Sequence, residues 1–352
     1  MSGKGWIFSE GFAVKVSELR QKIRVCSRDN LEHIILEMYK AIPKSVREAK
    51  RIDSVIINPD ARLARPSAPI RRELDDIRCE TEEFLSDAYN QYYFAPNSVV
   101  PKSKRPGWRF TARRLFKELN QAAANQDDAP AAADLLKSLY KMLCYSCGYI
   151  LFSGDDSFNS VGIRQVDYFQ AILDIERKIE PPREFVRNSI LLALANGLNR
   201  HTLWEDLLEV IVACLETVDM KEMAIEICDD LRKDAAADRL HDLEPFSKGR
   251  ESYPAREFVN HLAILGWMCH MAIDQSNDAI RYFRQYYVEK SPETALCILL
   301  RMIEHRRSWT LWLHTYEEAL SSGIHPREEL KRLFKDIREK LDQDQRSEQI
   351  GR

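Results

Sequence analysis

Residues 292–322 have the sequence PETALCILLRMIEHRRSWTLWLHTYEEALSS, and this stretch decides the fold. Its apolar residues recur every three or four positions on both sides of a short charged step, which is the period of an amphipathic helix. Pro292 is typical of a helix start, and Gly323 just after the stretch is typical of a helix end. We therefore predict two short helices here. Because the turn between them is so short, they must pack antiparallel as an αα-hairpin.

The same pattern extends in both directions, from about Val16 to Asp342. With 12 Gly and 14 Pro, the chain has little room for many β-turns or long linkers. The sequence predicts an all-α fold of antiparallel αα-hairpins. It leaves open whether the C-terminal half is a degenerate α-solenoid or a compact multi-helix bundle. The predicted helices span about 17–26, 29–39, 45–56, 70–93, 111–124, 131–151, 160–179, 183–196, 201–216, 219–233, 254–274, 276–288, 292–306, 308–322 and 326–342.

The Pro181-Pro182 step is the predicted domain boundary, since two consecutive prolines cannot continue a helix. A chain of 352 residues also exceeds the size at which a single core usually stops growing. We predict an N-terminal helical domain over 1–180, a C-terminal helical array over 181–345 and a disordered tail over 346–352.

Charge and cysteine use favour a cytoplasmic protein. The net charge is −3, yet residues 1–120 hold 23 Lys and Arg against 16 Asp and Glu, and the remainder holds 29 against 39. A basic N-terminal part and an acidic remainder indicate different partners for the two parts. No apolar run approaches the length that spans a bilayer, and the first residues, MSGKGW, lack the apolar core of a signal peptide. Eight scattered cysteines are typical of reduced, intracellular thiols.

No catalytic or cofactor-binding motif interrupts the helices. The sequence has no glycine-rich phosphate loop, no nucleophile elbow and no two histidines at i,i+4 spacing. Cys144 and Cys147 form a C-x-x-C late in an apolar helix, which favours core thiols over a redox or zinc site. Asp155 and Asp156 follow Gly154, where a helix end and a cap are favoured over a divalent-cation site. We expect no catalytic residue, cofactor or metal.

A basic and aromatic segment is the strongest functional signal in the sequence. Cations that engage phosphates, beside rings that stack on bases, are the ingredients of nucleic-acid binding. The alternative is a solvated loop that Trp108 and Phe110 anchor to the core, and the pI near 6.3 favours it. The candidate nucleic-acid-binding residues are Lys102, Lys104, Arg105, Trp108, Arg109, Arg113, Arg114 and Lys117.

Two aromatic clusters are candidates for a protein interface, because interfaces concentrate aromatic residues and arginine. They contain Tyr282 and Tyr286 in one predicted helix, and Trp309 and Trp312 in another. At i,i+3 and i,i+4 spacing such rings are also typical of the core between helices, and this alternative is the favoured one.

Three parts of the first half resemble a bacterial helical domain family of unknown function. They are the helix pair from Leu19-Arg-Gln-Lys-Ile to Leu31-Glu-His-Ile-Ile-Leu-Glu-Met-Tyr-Lys, the short helix Ala112-Arg-Arg-Leu-Phe-Lys-Glu-Leu, and Asp134-Leu-Leu followed by Gly148-Tyr, Gly154-Asp155 and Tyr168-Phe169. The resemblance covers roughly residues 15–175. It implies a helical fold and transfers no activity to any residue.

These observations predict a non-enzymatic protein that acts through protein–protein interaction, as an adaptor or as a subunit of a larger bacterial assembly. We expect a protein partner or self-association, and no membrane. The alternative is nucleic-acid binding through the segment 102–117. An enzyme whose site is assembled from scattered residues stays open at this stage.

Overall fold

The computed structural model describes residues 22–49, 52–57, 72–154, 156–247 and 252–350. Within these ranges the regular structure is helical and no strand occurs, so the all-α prediction is confirmed. None of the helices in these ranges is long and apolar enough to cross a membrane. The helices are α1 (Arg28–Ala41), α2 (Lys44–Ala49), α3 (Ile52–Ile57), α4 (Leu74–Tyr89), α5 (Trp108–Ala122), α6 (Ala129–Gly148), α7 (Ser157–Val161), α8 (Gln165–Ile179), α9 (Pro182–Leu194), α10 (Trp204–Cys214), α11 (Val218–Ala236), α12 (Tyr253–Ala272), α13 (Ser276–Tyr286), α14 (Pro292–His305), α15 (Trp309–Ser321) and α16 (Glu328–Ile350).

Several helices begin where the sequence supplies a capping side chain. In each case an oxygen of the cap accepts a hydrogen bond from the backbone N–H three residues further on, which satisfies one of the free donors of the first turn. The capping residues are Ser27, Asp156, Thr217, Ser252 and Ser291.

The chain divides into two compact units, residues 1–71 and residues 72–352. The first contains α1, α2 and α3, and none of the side chains described there is buried. Ile34, Ile35 and Met38 on α1 are each at least 45% exposed. The predicted helix start at Ser17 and the proline-rich connector 59–70 lie outside the described residues.

In the second unit, helices contact both their neighbour and the helix after it. The contacts α4–α6, α6–α8, α8–α10 and α10–α12 form one row, and α9–α11 belongs to a second. Neighbours also pair closely, as α11 with α12, α12 with α13 and α14 with α15. Stacked αα-hairpins have this alternation of contacts.

The Pro181-Pro182 step lies inside this second unit. Helix α8 ends at Ile179 and α9 begins at Pro182, as the prolines predict, but α8 packs against both α9 and α10. At the C-terminus, α16 continues to Ile350. Residues 346–350, expected to be a disordered tail, are therefore the last residues of a helix.

Gln165 is the polar centre of the core around α6 and α8. Its side chain is fully buried, and its amide nitrogen donates to the backbone oxygen of Gly197 at 3.0 Å and lies 3.2 Å from the hydroxyl of Tyr140. Its amide oxygen accepts from the backbone N–H of Asn199 at 2.8 Å. A buried amide with these partners is satisfied, and it ties the loop after α9 to α6.

Candidate interaction surfaces

Trp108, which the nucleic-acid hypothesis expects to stack on a base, lies in the core. It is 2% exposed, and its indole stacks on Phe152 with ring centroids 3.8 Å apart and an interplanar angle of 10°. A ring buried in this way has no free face for a nucleotide. For Trp108 the alternative interpretation, an anchor for the loop, is the correct one. Phe110, expected as a second anchor, is instead 64% exposed.

Two cations of the predicted basic set have partners within the protein. The guanidinium of Arg105 donates to two backbone carbonyls of the loop 97–100, which holds that loop in shape. Arg114 forms ion pairs with Glu80 and Glu118. The hydrogen bond from Arg114 lowers the pKa of the Glu80 carboxyl, although burial opposes this. Both arginines therefore have a structural role.

The remaining cations, Lys102, Lys104, Arg109, Arg113 and Lys117, are exposed. None of them forms an ion pair with another described residue. Arg109, Arg113 and Lys117 recur every four residues, so they lie on one face of α5, with Cα positions about 6 Å apart along its axis. The guanidinium of Arg109 lies 4.8 Å from the centre of the Phe110 ring. We call Arg109, Phe110, Arg113 and Lys117 the basic face.

The four predicted interface aromatics lie mostly between helices. Trp312 is fully buried and Tyr282 is 7% exposed, whereas Tyr286 and Trp309 are half-buried. The Trp312 ring stacks on Tyr316 at 5.4 Å between centroids. Tyr282 and Trp312 therefore belong to the core, which corrects their place in the interface set.

Tyr282 and Tyr286 instead hold an arginine of the same chain. Arg232 on α11 places its guanidinium carbon 3.4 Å from the centre of the Tyr286 ring and donates to the Tyr282 hydroxyl at 2.8 Å. Asp229 forms an ion pair with Arg232 and accepts from the Tyr282 hydroxyl. The pKa of Tyr282 is raised far above its usual value, chiefly by burial. Two aromatic rings and one carboxylate thus enclose one guanidinium.

An exposed row of tyrosines, which the sequence analysis missed, lies where α4 and α6 end. Tyr89 is the last residue of α4, Tyr145 is in the last turn of α6, and Tyr149 is the C-cap of α6. The rings of Tyr89 and Tyr145 are 5.7 Å apart, and those of Tyr145 and Tyr149 are stacked at 4.3 Å. They are 48%, 40% and 51% exposed. We call these three residues the tyrosine row. The sequence signal that could have indicated it was the i,i+4 spacing of Tyr145 and Tyr149.

A cleft of about 380 Å³ adjoins the tyrosine row, because Tyr149 also forms part of its wall. The other walls come from the loop after α9, from Pro245 and Ser247, and from the N-terminal parts of α10 and α12. The rings of Trp204 and His261 lie in it with centroids 5.1 Å apart, tilted by 41°. We call it the aromatic cleft; its main lining side chains are Tyr149, Trp204, Tyr253, Glu257, Phe258 and His261.

The titratable groups of the aromatic cleft are partly desolvated. Burial lowers the pKa of His261 to about 4, so its imidazole is neutral at neutral pH. Burial also raises the pKa of Glu257, and the carboxylates of Glu289 and Glu205 add to this rise while Arg256 opposes it. No cation of the described residues forms an ion pair with Glu257. The cleft therefore combines aromatic walls with a part-buried carboxylate that no described cation pairs with.

The C-x-x-C cysteines have the surroundings expected of core thiols. Burial raises the pKa of Cys144 well above its usual value and that of Cys147 to about 11, which disfavours the reactive thiolate. Asp156 caps α7 by accepting from the backbone N–H of Asn159, whereas Asp155 lies outside the described residues. Among the residues that the structure describes, no group of three His, Cys, Asp or Glu side chains could hold a metal ion.

Comparisons of the chain with protein-family models, with curated proteins and with solved structures each give no match.

Proposed function

We propose that this protein binds a partner protein through the tyrosine row and the adjoining aromatic cleft. The observation that carries the proposal is the continuous exposed line of rings Tyr89, Tyr145 and Tyr149, the last of which enters the cleft. Tyrosine and tryptophan give large contact areas for little loss of side-chain entropy, and they dominate the energetics of protein interfaces.

The charge of this part of the molecule indicates the kind of partner. Residues 121–352 hold 29 Lys and Arg against 39 Asp and Glu, and Glu205, Glu257 and Glu289 lie near one another at the cleft. A basic segment on the partner complements both features. Stacked helical hairpins present extended surfaces that need no catalytic group, which supports an adaptor or a subunit of a larger assembly. The resemblance of residues 15–175 to a bacterial helical domain family stays a prediction beside this proposal.

The test compares two variants that each remove exposed aromatic surface. Tyr145→Ser with Tyr149→Ser destroys the tyrosine row, and Phe110→Ser removes a comparably exposed ring from the basic face. We expect both variants to fold, because the altered rings are at least 40% exposed. Quantitative cross-linking from native extract should give one partner at equal yield with the wild type and Phe110→Ser, and at a tenth or less with the double variant. Equal yields from all three proteins would contradict the proposal, as would the absence of any partner.

The second candidate function is nucleic-acid binding through the basic face. The observation that favours it is the set of three exposed cations at four-residue spacing on α5, none with an ion-pair partner among the described residues, beside the exposed ring of Phe110. Cations at the surface can neutralise phosphates and release counterions, and an exposed ring can stack on a base. Because Trp108 is buried, Phe110 takes the stacking role in this proposal.

Salt dependence of oligonucleotide binding tests this second candidate. The affinity should fall as salt is added, and Arg109→Ala should make the slope of log affinity against log salt shallower by about one unit, if Arg109 neutralises one phosphate. Arg114→Ala is the matched control, since Arg114 is on the same helix but is paired with Glu80 and Glu118. The absence of binding to single- and double-stranded oligonucleotides at low salt would remove this candidate, and so would equal slopes for wild type and Arg109→Ala.

A further inference from the structure

We propose that the aromatic cleft receives an arginine side chain of the partner, with its guanidinium between the aromatic walls and the carboxylate of Glu257. This inference rests on the proposed function and names the group that the partner inserts. It predicts that the basic segment of the partner has one arginine whose loss weakens the complex more than the loss of its other cations.

The part-buried carboxylate of Glu257 is the first reason. It lies one turn into α12, lines the cleft, and is part-buried without an ion-pair partner among the described residues. A desolvated carboxylate gains most from a cation that reaches it inside the cleft. Glu205 and Glu289 extend the negative potential to the surroundings, and Arg256, a described cation that acts on Glu257, lies over the Tyr253 ring at 5.3 Å.

The walls of the cleft favour a guanidinium over other cations. Tyr149, Trp204 and Tyr253 line the cleft. A guanidinium is planar and weakly hydrated, so it stacks on aromatic rings better than an ammonium does. His261 is neutral at neutral pH and does not repel a cation. The volume of about 380 Å³ is at the small end of the range for ligand pockets, which suits a single side chain.

The same chain contains a completed version of this arrangement. Arg232 is enclosed by the rings of Tyr282 and Tyr286 and by the carboxylate of Asp229. The aromatic cleft has aromatic rings and the carboxylate of Glu257, whereas the guanidinium of Arg256 lies over the Tyr253 ring and forms no ion pair with Glu257. In our proposal the partner supplies the guanidinium that pairs with Glu257.

The experiment uses the full chain and a defined probe, the blocked peptide acetyl-Gly-Gly-Arg-Gly-Gly-amide. Its matched control has citrulline in place of arginine, which keeps the planar shape and removes the charge. Binding is followed by NMR titration with wild type, Glu257→Gln and Tyr145→Ser, the last of which alters the tyrosine row and leaves the cleft intact. Thermal unfolding of each variant checks that it is folded.

We expect the arginine peptide to bind the wild type and Tyr145→Ser equally, and to bind Glu257→Gln at least tenfold more weakly. The citrulline peptide should also bind the wild type at least tenfold more weakly. Equal binding of the two peptides, equal binding to Glu257→Gln, or no binding of the arginine peptide at millimolar concentration would overturn the inference. If any of these occurs while the double tyrosine variant still loses its partner, the proposed interface is retained and only the binding of arginine in the aromatic cleft is rejected.

Discussion

At the scale of single residues, the buried carboxylate of Glu176 has one dominant partner. Its side chain on α8 is fully buried, and an oxygen lies 2.6 Å from the ammonium of Lys137 on α6. Burial raises the pKa of Glu176, although Lys137 opposes this. A group whose pKa is raised on folding favours the folded state below that pKa and loses this contribution as the pH rises through it. At neutral pH the carboxylate therefore depends on Lys137.

Replacing Lys137 by Met should destabilise the protein by about 3 kcal/mol at neutral pH, because it leaves a buried charge unpaired. The loss should shrink as the pH falls, since Glu176, whose pKa is raised, then takes up a proton and no longer needs a cation. Urea unfolding of both proteins at neutral and at acidic pH measures this. A control with both residues replaced by Met should recover most of the stability, and a loss independent of pH would contradict the explanation.

Two aromatic residues two positions apart should differ strongly in how much their truncation lowers the stability. Trp108→Ala should cost about 3–5 kcal/mol, because it removes a fully buried ring that stacks on Phe152. Phe110→Ala and Arg109→Ala should each change the stability by less than about 0.5 kcal/mol, since both side chains are exposed. Thermal unfolding of the three variants decides the matter, and a small effect of Trp108→Ala would mean that the ring is not part of the core.

At the scale of helices, Gly266 permits the close pairing of α12 and α13. A methyl group at this position would overlap the ring of Tyr282 on the opposite helix. Glycine inside a helix normally costs about 1 kcal/mol relative to alanine, so its presence at the centre of α12 needs a packing reason. The ring of Tyr282 fills the space that the missing side chain leaves.

Gly266→Ala should therefore destabilise the wild type by about 1–3 kcal/mol through overpacking, against the gain in helix propensity. In a Tyr282→Ala background the ring is absent, and the same substitution should instead stabilise the protein by up to about 1 kcal/mol. Chemical unfolding of the four proteins of this double-mutant cycle measures the sign change. If Gly266→Ala changed the stability with the same sign in both backgrounds, the pairing of α12 and α13 would not depend on the contact between Gly266 and Tyr282.

At the scale of the whole molecule, the described part of the buried core lies in the second unit. Its described members run from Ile77 to Ile337, whereas none of the described side chains of residues 1–71 is buried. A protein that begins at residue 72 should therefore fold alone. Its thermal midpoint should lie within about 3 °C of the full chain, which is on the order of 1 kcal/mol at this size. Calorimetry of both proteins tests this, and a broad or much lower transition would show that the first unit contributes to the core.

The sequence by itself determined the class of fold and most helices. Helical period, capping residues and prolines are local, so 292–322 specified two helices without knowledge of their neighbours. Short loops then required adjacent helices to pair. The exposure of Arg109, Arg113 and Lys117 followed from the amphipathic pattern of α5 in the same way.

Only the tertiary structure decided which aromatic rings are buried and which groups meet. Trp108 and Phe110 are both aromatic and near the start of α5, yet Trp108 is buried and stacks on Phe152, far away in the sequence, whereas Phe110 is exposed. The tyrosine row joins Tyr89 to Tyr145 across two helices. Whether Glu257 has a cationic partner likewise depends on distances across helices. Burial and charge pairing are set by which helices stack side by side, and periodicity within one helix carries no information about that choice.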